Sequence, residues 1–139
     1  MDGYKIKKIE PANDSNPRGK RTWEWHLTNG KQISAMRRLK GEVFGNHFHK
    51  GDDPSKNPEF ILFLDGKAII EFLDKNGKYS SEQIDAASGP LEIVIEPWVL
   101  HRLIGETDVL YIESRLSRFN PDSPDTYSAE EFSHQFPEK

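Results

Sequence analysis

Apolar and polar residues alternate in short stretches along this chain, and turn residues separate the stretches at regular spacing. Thr22-Trp23-Glu24-Trp25-His26-Leu27 has the two-residue period of a half-buried strand. Asn29-Gly30 is a strong hairpin turn, and Gln32 to Lys40 reads as the return strand. Glu59 to Leu64 and Lys67 to Leu73 flank Asp65-Gly66, which predicts a second hairpin with a two-residue turn. Asn76-Gly77 marks a turn before a strand over Tyr79 to Ile84. Leu91, Ile93 and Ile95 alternate with Glu92, Val94 and Glu96, and Val99 to Ile104 and Asp108 to Leu116 complete the set. Tyr4 to Ile9 predicts a short edge strand and Pro11 to Lys20 a loop. Ser128-Ala129-Glu130-Glu131 is a capping-box pattern, which predicts a short C-terminal helix over Ser128 to His134 that shields an edge strand. The expected fold is all-β: an antiparallel double-sheet jelly-roll barrel with that helix appended. Residues 1–139 read as one domain, with a barrel core over about 22–116, an N-terminal arm over 1–21 and a tail over 117–139.

Composition narrows the chemistry. A length of 139 residues suits a single core. The formal net charge of −4 disfavours a nucleic-acid surface. With no cysteine, disulfides and thiolate ligands are excluded, so a metal would need nitrogen and oxygen donors. No apolar run approaches the length of a membrane span, and Met1-Asp2-Gly3-Tyr4-Lys5 does not look like a secretory signal. The expectation is a cytoplasmic protein with no membrane partner. Lys5-Ile6-Lys7-Lys8 and Pro17-Arg18-Gly19-Lys20-Arg21 read as solvated charge runs.

The candidate chemistry centres on Gly45-Asn46-His47-Phe48-His49-Lys50. His47 and His49 share a face if the segment is a strand. Glu59 opens the next apolar strand, and His101 follows far downstream in Pro97-Trp98-Val99-Leu100-His101. Three imidazoles and a carboxylate suit a divalent zinc, iron, nickel or manganese ion. If Ile33, Ala35 and Leu39 face the core, Arg37 points with them and offers a bidentate grip for an anion. Phe48, Trp98 and Tyr111 are candidate aromatic walls of a ligand pocket.

At these residues the chain resembles the cupin superfamily, over roughly residues 33 to 116. The first cupin motif is a glycine, His-x-His, and a Glu followed by six residues and a Gly; Glu59 and Gly66 have that spacing. Gly89, Pro97 and His101 follow the second motif, though it is one residue short and lacks its internal glycine. The resemblance implies a metal or substrate site in the mouth of a small barrel. About six residues within Gly51 to Pro58 are extra to the motif, so Asp52 and Asp53 stand as rivals to Glu59 for the carboxylate ligand.

Gly45 to Lys50 also looks like the Gly-Asn-His-x-His-Lys stretch of the cupin nucleotide-sugar ketoisomerases. In that family two histidines move protons without a metal, which implies His47 and His49 as catalytic acid and base. Pro97 to Arg102 looks like the second motif of cupins found with polysaccharide-synthesis enzymes. The leading expectation is a metal-binding cupin for a small, carbohydrate-like molecule. A metal-free sugar isomerase or epimerase, a metal-dependent oxygenase and a non-catalytic binding module are the other readings. Phe60, Leu62 and Leu64 give the Glu59 strand a second apolar face, to be covered by a second copy or by the N-terminal arm and C-terminal helix, and a homodimer is the expectation.

Overall fold

The computed structural model describes residues 3–12 and 21–138. The strands are β1 (Arg21–His26), β2 (Gln32–Arg38), β3 (Val43–Phe48), β4 (Glu59–Asp65), β5 (Lys67–Leu73), β6 (Tyr79–Asp85), β7 (Leu91–Ile95), β8 (Leu100–Gly105), β9 (Val109–Arg115) and β10 (Tyr127–Ser128). They form two five-stranded antiparallel sheets, ordered β1-β2-β9-β4-β7 and β10-β3-β8-β5-β6. The apolar inner faces meet in a core that includes Ile61, Phe63, Ala68, Ile70, Leu103 and Val109. Strands β2 to β9 contribute residues to it from their inner faces, as a double-sheet fold requires.

The β1–β2 hairpin closes through Asn29-Gly30, where Gly30 donates to the Leu27 carbonyl at 3.1 Å. The β5–β6 hairpin closes through Asn76-Gly77 in the same manner, with Gly77 donating to Asp74 at 3.0 Å. Asp65-Gly66 behaves differently. β4 and β5 do not pair; β4 lies between β9 and β7, and β5 between β8 and β6. The expected hairpin is therefore a corner at which the chain leaves one sheet for the other. Gly66 has φ +95°, and a Cβ there would lie 2.2 Å from the Asp108 carbonyl oxygen. Only glycine fits so close an approach.

Two further expectations are corrected. Tyr4 to Ile9 forms no strand: Ile6 is 93% exposed, and among the described residues the arm pairs with the sheet where Pro11 bridges Trp23. The C-terminal helix is a single 3-10 turn, Ala129–Glu131. Its capping box is formed, with Ser128 N donating to Glu131 Oε2 at 2.9 Å. The turn stops because Phe132 turns extended and buries itself with Phe48, Leu73 and Leu100 in a second apolar cluster. The free edge of β3 is covered by β10, a two-residue strand, and not by the expected helix. Most of the Pro11–Lys20 loop and the Pro17–Arg21 charge run lies outside the described residues. Among the described residues, no helix is long and apolar enough to cross a membrane.

Candidate metal centre

His47 lies on β3, His101 directly across from it on β8, and His49 just past the end of β3. The strand is irregular here: its register shifts between Gly45 and His47, and Asn46 is left-handed with φ 59°. Both imidazoles nonetheless reach the same place. Ring centroids lie 4.8 Å apart for His47–His49 and His47–His101, and 5.5 Å for His49–His101. One nitrogen from each ring falls within 4.8 Å of the others, an arrangement that could hold a metal ion.

The ring orientations suit that use. His49 Nδ1–H donates to the Asp125 carbonyl at 2.7 Å, and His101 Nδ1–H donates to the Val99 carbonyl at 3.0 Å. Each bond fixes a tautomer whose Nε2 carries the lone pair, as ligating histidines require. Burial, aided by the other two imidazoles, pushes the pKa of His47 down to about 3. Burial also pushes His101 down. Burial therefore favours the neutral, ligand-competent form of His47 and His101.

Glu59 completes the cluster from the facing sheet. It is 2% exposed, with Oε2 3.2 Å from His49 Nε2 and Oε1 3.6 Å from His101 Nε2. Burial alone would raise its pKa, but His49, Lys56 and His101 outweigh burial and hold it below the usual carboxylate range. His49 Nε2 and Glu59 Oε1 are both buried without a hydrogen-bond partner. Two such orphaned groups side by side are costly unless something satisfies both. A divalent cation with nitrogen and oxygen ligands fits that requirement.

The inserted segment does not supply the carboxylate. Asp53 caps the 3-10 turn Pro54–Lys56, accepting from Ser55 N at 2.9 Å, and pairs with Arg115. Asp52 is exposed and lines a separate recess with Asp122. What the insertion brings instead is Lys56, which no spacing in the sequence singles out. Its Nζ lies 2.5 Å from Glu59 Oε2 and 3.5 Å from Glu113 Oε2, with the side chain only 8% exposed. The segment is clamped by Asp125, whose Oδ1 accepts from Lys50 N and Oδ2 from Gly51 N and Asp53 N, all at 2.9–3.1 Å. Asp125 thus holds the loop with its side chain and orients His49 with its backbone. Its place in a Pro- and Asp-rich stretch suggested only a loop.

The cluster opens into a cavity of about 800 Å³ between the sheets. Of the candidate ligand contacts, Tyr111 lines it, stacked on Phe44 at 5.4 Å. The other three candidate ligand contacts lie elsewhere. Arg37 is exposed, because Gln32, Ser34, Met36 and Arg38 are the residues of β2 that face inward. Arg38, 8% exposed, lines the cavity in its stead. Phe48 is buried on the opposite face from its flanking histidines, in the second apolar cluster. Trp98 is 43% exposed and packs on the outer side of Phe48, at 5.5 Å.

No family model matches the chain, and no curated protein matches it. Solved structures do. The capsular polysaccharide assembling protein CapF from Staphylococcus aureus is 22% identical, with a TM-score of 0.69, over 88% of this chain and 32% of that one. Oxalate decarboxylase from Lactobacillus farciminis is 15% identical, with a TM-score of 0.57, over 86% of this chain and 32% of that one. The chain spans about a third of the length of the solved structures it matches.

Proposed function

We propose that this chain, which has the cupin fold, holds a divalent transition metal on His47, His49, His101 and Glu59. There it binds or converts a small polar, carbohydrate-like ligand. The observation that carries the reading is the convergence of three imidazoles beside an orphaned, buried carboxylate oxygen. When bound, zinc, iron, nickel or manganese would polarise a ligand oxygen. The chain's own residues supply the rest. The Asp125 and Val99 carbonyls orient two of the histidines, and Tyr111, Ser34 and Gln32 line the cavity beside them. The name of CapF, which concerns capsular polysaccharide, supports a carbohydrate-like ligand. The metal-free alternative, with His47 and His49 as acid and base, is weakened by the depressed pKa of His47. A ring so hard to protonate is a poor proton donor near neutral pH.

The test is elemental analysis of the purified protein beside a His47→Ala/His49→Ala double variant. One ion per chain in the parent and a loss of most of it in the variant is the expected result. Full metal content in the double variant would sink the assignment.

We also propose a homodimer through the outer face of the first sheet. Phe60, Leu62 and Val94 are 40–47% exposed there, and Trp25 is 53% exposed. Cross-strand pairing puts Trp23, Ala35, Ile112 and Leu62 in one row across four strands. Apolar area of this kind, rimmed by charge, is what an oligomer interface offers.

A further inference from the structure

Three cations line the cavity among the described residues: Lys56, Arg115 and Arg38. Two of them have acidic partners. Lys56 is held by Glu59 and Glu113, and Arg115 by Asp53. Arg38 has no carboxylate within ion-pair distance among the described residues, although it is 8% exposed. Its Nη1 donates to the backbone carbonyls of Arg21 at 3.1 Å and Arg37 at 2.9 Å. These bonds fix the side chain without neutralising it. Its Nη2 reaches Thr22 Oγ1 only at 3.5 Å, and its Nε is buried with no partner. The nearby cavity acids are engaged: Glu24 with His26 at 3.1 Å, and Glu113 with Lys56.

A buried guanidinium without a counterion is costly, and a ligand that brings the missing charge removes that cost. The committed and the open nitrogens also define a shape. Nη1 is used, while Nε and Nη2 form one edge of the planar fork, with two donors side by side. Two parallel N–H groups match the two oxygens of a carboxylate. One uncompensated positive charge calls for one negative charge. Arg38 stands on β2 of the first sheet, and the three histidines belong to the β3–β8 side of the second, so the two groups face the same cavity from different sheets.

We infer that the ligand is a monocarboxylate bearing hydroxyl groups, a hydroxy acid or sugar acid, whose carboxylate seats on the Nε–Nη2 edge of Arg38 while its hydroxyl oxygens face the histidine cluster. The inference rests on the metal-binding reading for the hydroxyl end only; the carboxylate end stands on Arg38 alone. It makes Arg38 the residue that selects an acid over the matching neutral polyol.

The experiment uses matched pairs that differ in one group: gluconate against sorbitol, and glycolate against ethylene glycol. Calorimetric titration into the zinc-loaded protein is expected to show each acid binding at least about tenfold tighter than its neutral partner. Arg38→Met is expected to abolish that preference with zinc content unchanged. Arg38→Lys, which keeps the charge and loses the two-donor edge, is expected to lose most of it. In the unmodified protein, the Arg38 Nε–H resonance should move on adding gluconate and stay put on adding sorbitol. That last measurement, with Arg38→Lys, decides the matter if Arg38→Met fails to fold. Equal affinities for acid and polyol, or a preference that survives both variants, overturns the inference. Zinc bound without any acid preference refutes the role of Arg38 and leaves the metal reading standing. An acid preference that depends on Arg38 in a protein that takes up no zinc refutes the metal reading and leaves Arg38 in place.

Discussion

Lys56 and Glu59 set the energetics of the site. In the metal-free protein the ammonium keeps a buried carboxylate ionised, and a bound cation would do the same work from the other side. Lys56→Met should therefore destabilise the metal-free protein by about 3–5 kcal/mol, the usual penalty for stranding a buried charge. Added zinc should restore most of that loss, because Glu59 then has a cation again. Thermal melts with and without zinc check this; an equal loss in both conditions would mean that the ion does not reach Glu59. The histidines were legible from spacing, since His-x-His on an extended segment has few alternatives. Glu59 was legible from its place at the head of an apolar strand. Arg38 was not, because the inner face of β2 is Gln32, Ser34, Met36 and Arg38. A polar cavity inverts the rule that the more apolar face points in, and the rule then selected Arg37. Phe48 was misplaced against the same parity that aligned the histidines on either side of it.

Two elements decide whether the site is held together. The first is the inserted segment over residues 51–58, which delivers Lys56 and is fastened by three backbone N–H groups on Asp125. Asp125→Asn keeps a side chain that tolerates the local φ of 44°, but turns an NH2 group towards donors that need an acceptor. We expect metal affinity to fall by about 10–100-fold, the usual effect of losing support behind the ligands. Amide exchange at Gly51 and Asp53 should speed up in the same variant, while exchange in β5 and β8 stays slow. Unchanged protection at Gly51 would show that the clamp is not needed. The second element is the Gly66 corner. Apolar runs on either side of Asp-Gly look the same whether the strands pair or part, so local pattern could not separate the two outcomes. What separates them is the contact of Gly66 with Asp108, a residue 42 positions away in sequence.

At the scale of the whole molecule the two sheets are covered unequally. The tail lies over the outer face of the second sheet, where Phe132, Phe136 and Tyr127 pack on Phe48, Leu73 and Leu100. A network of Tyr79, Glu71 and Arg102 borders it, with Arg102 4.1 Å from the Phe136 ring. The first sheet has no such cover among the described residues: the N-terminal arm leaves Tyr4 and Ile6 70% and 93% exposed. A second copy is the cover we expect. Light scattering at micromolar concentration should give twice the chain mass of 16.0 kDa, and Phe60→Glu with Leu62→Glu should halve it. A parent mass near that of one chain would refute the dimer. The double-sheet architecture was readable because ten short strands need only local turns and alternation to announce themselves. Which outer face stays bare depends on where the tail docks, and no local pattern carries that.

The hydrogen bond from His49 to Asp125 joins residues 76 positions apart. It has a consequence for the order of events during synthesis. His47, His49, Glu59 and His101 all leave the ribosome before Asp125 does. Until that residue arrives, His49 lacks its orienting carbonyl and the inserted loop lacks its fastening. Closing so long a loop is slow, and its entropic cost falls due before the contact returns anything. On the proposed metal reading, an ion would be held fully only after Asp125 has emerged, and would not serve as the seed around which the barrel condenses.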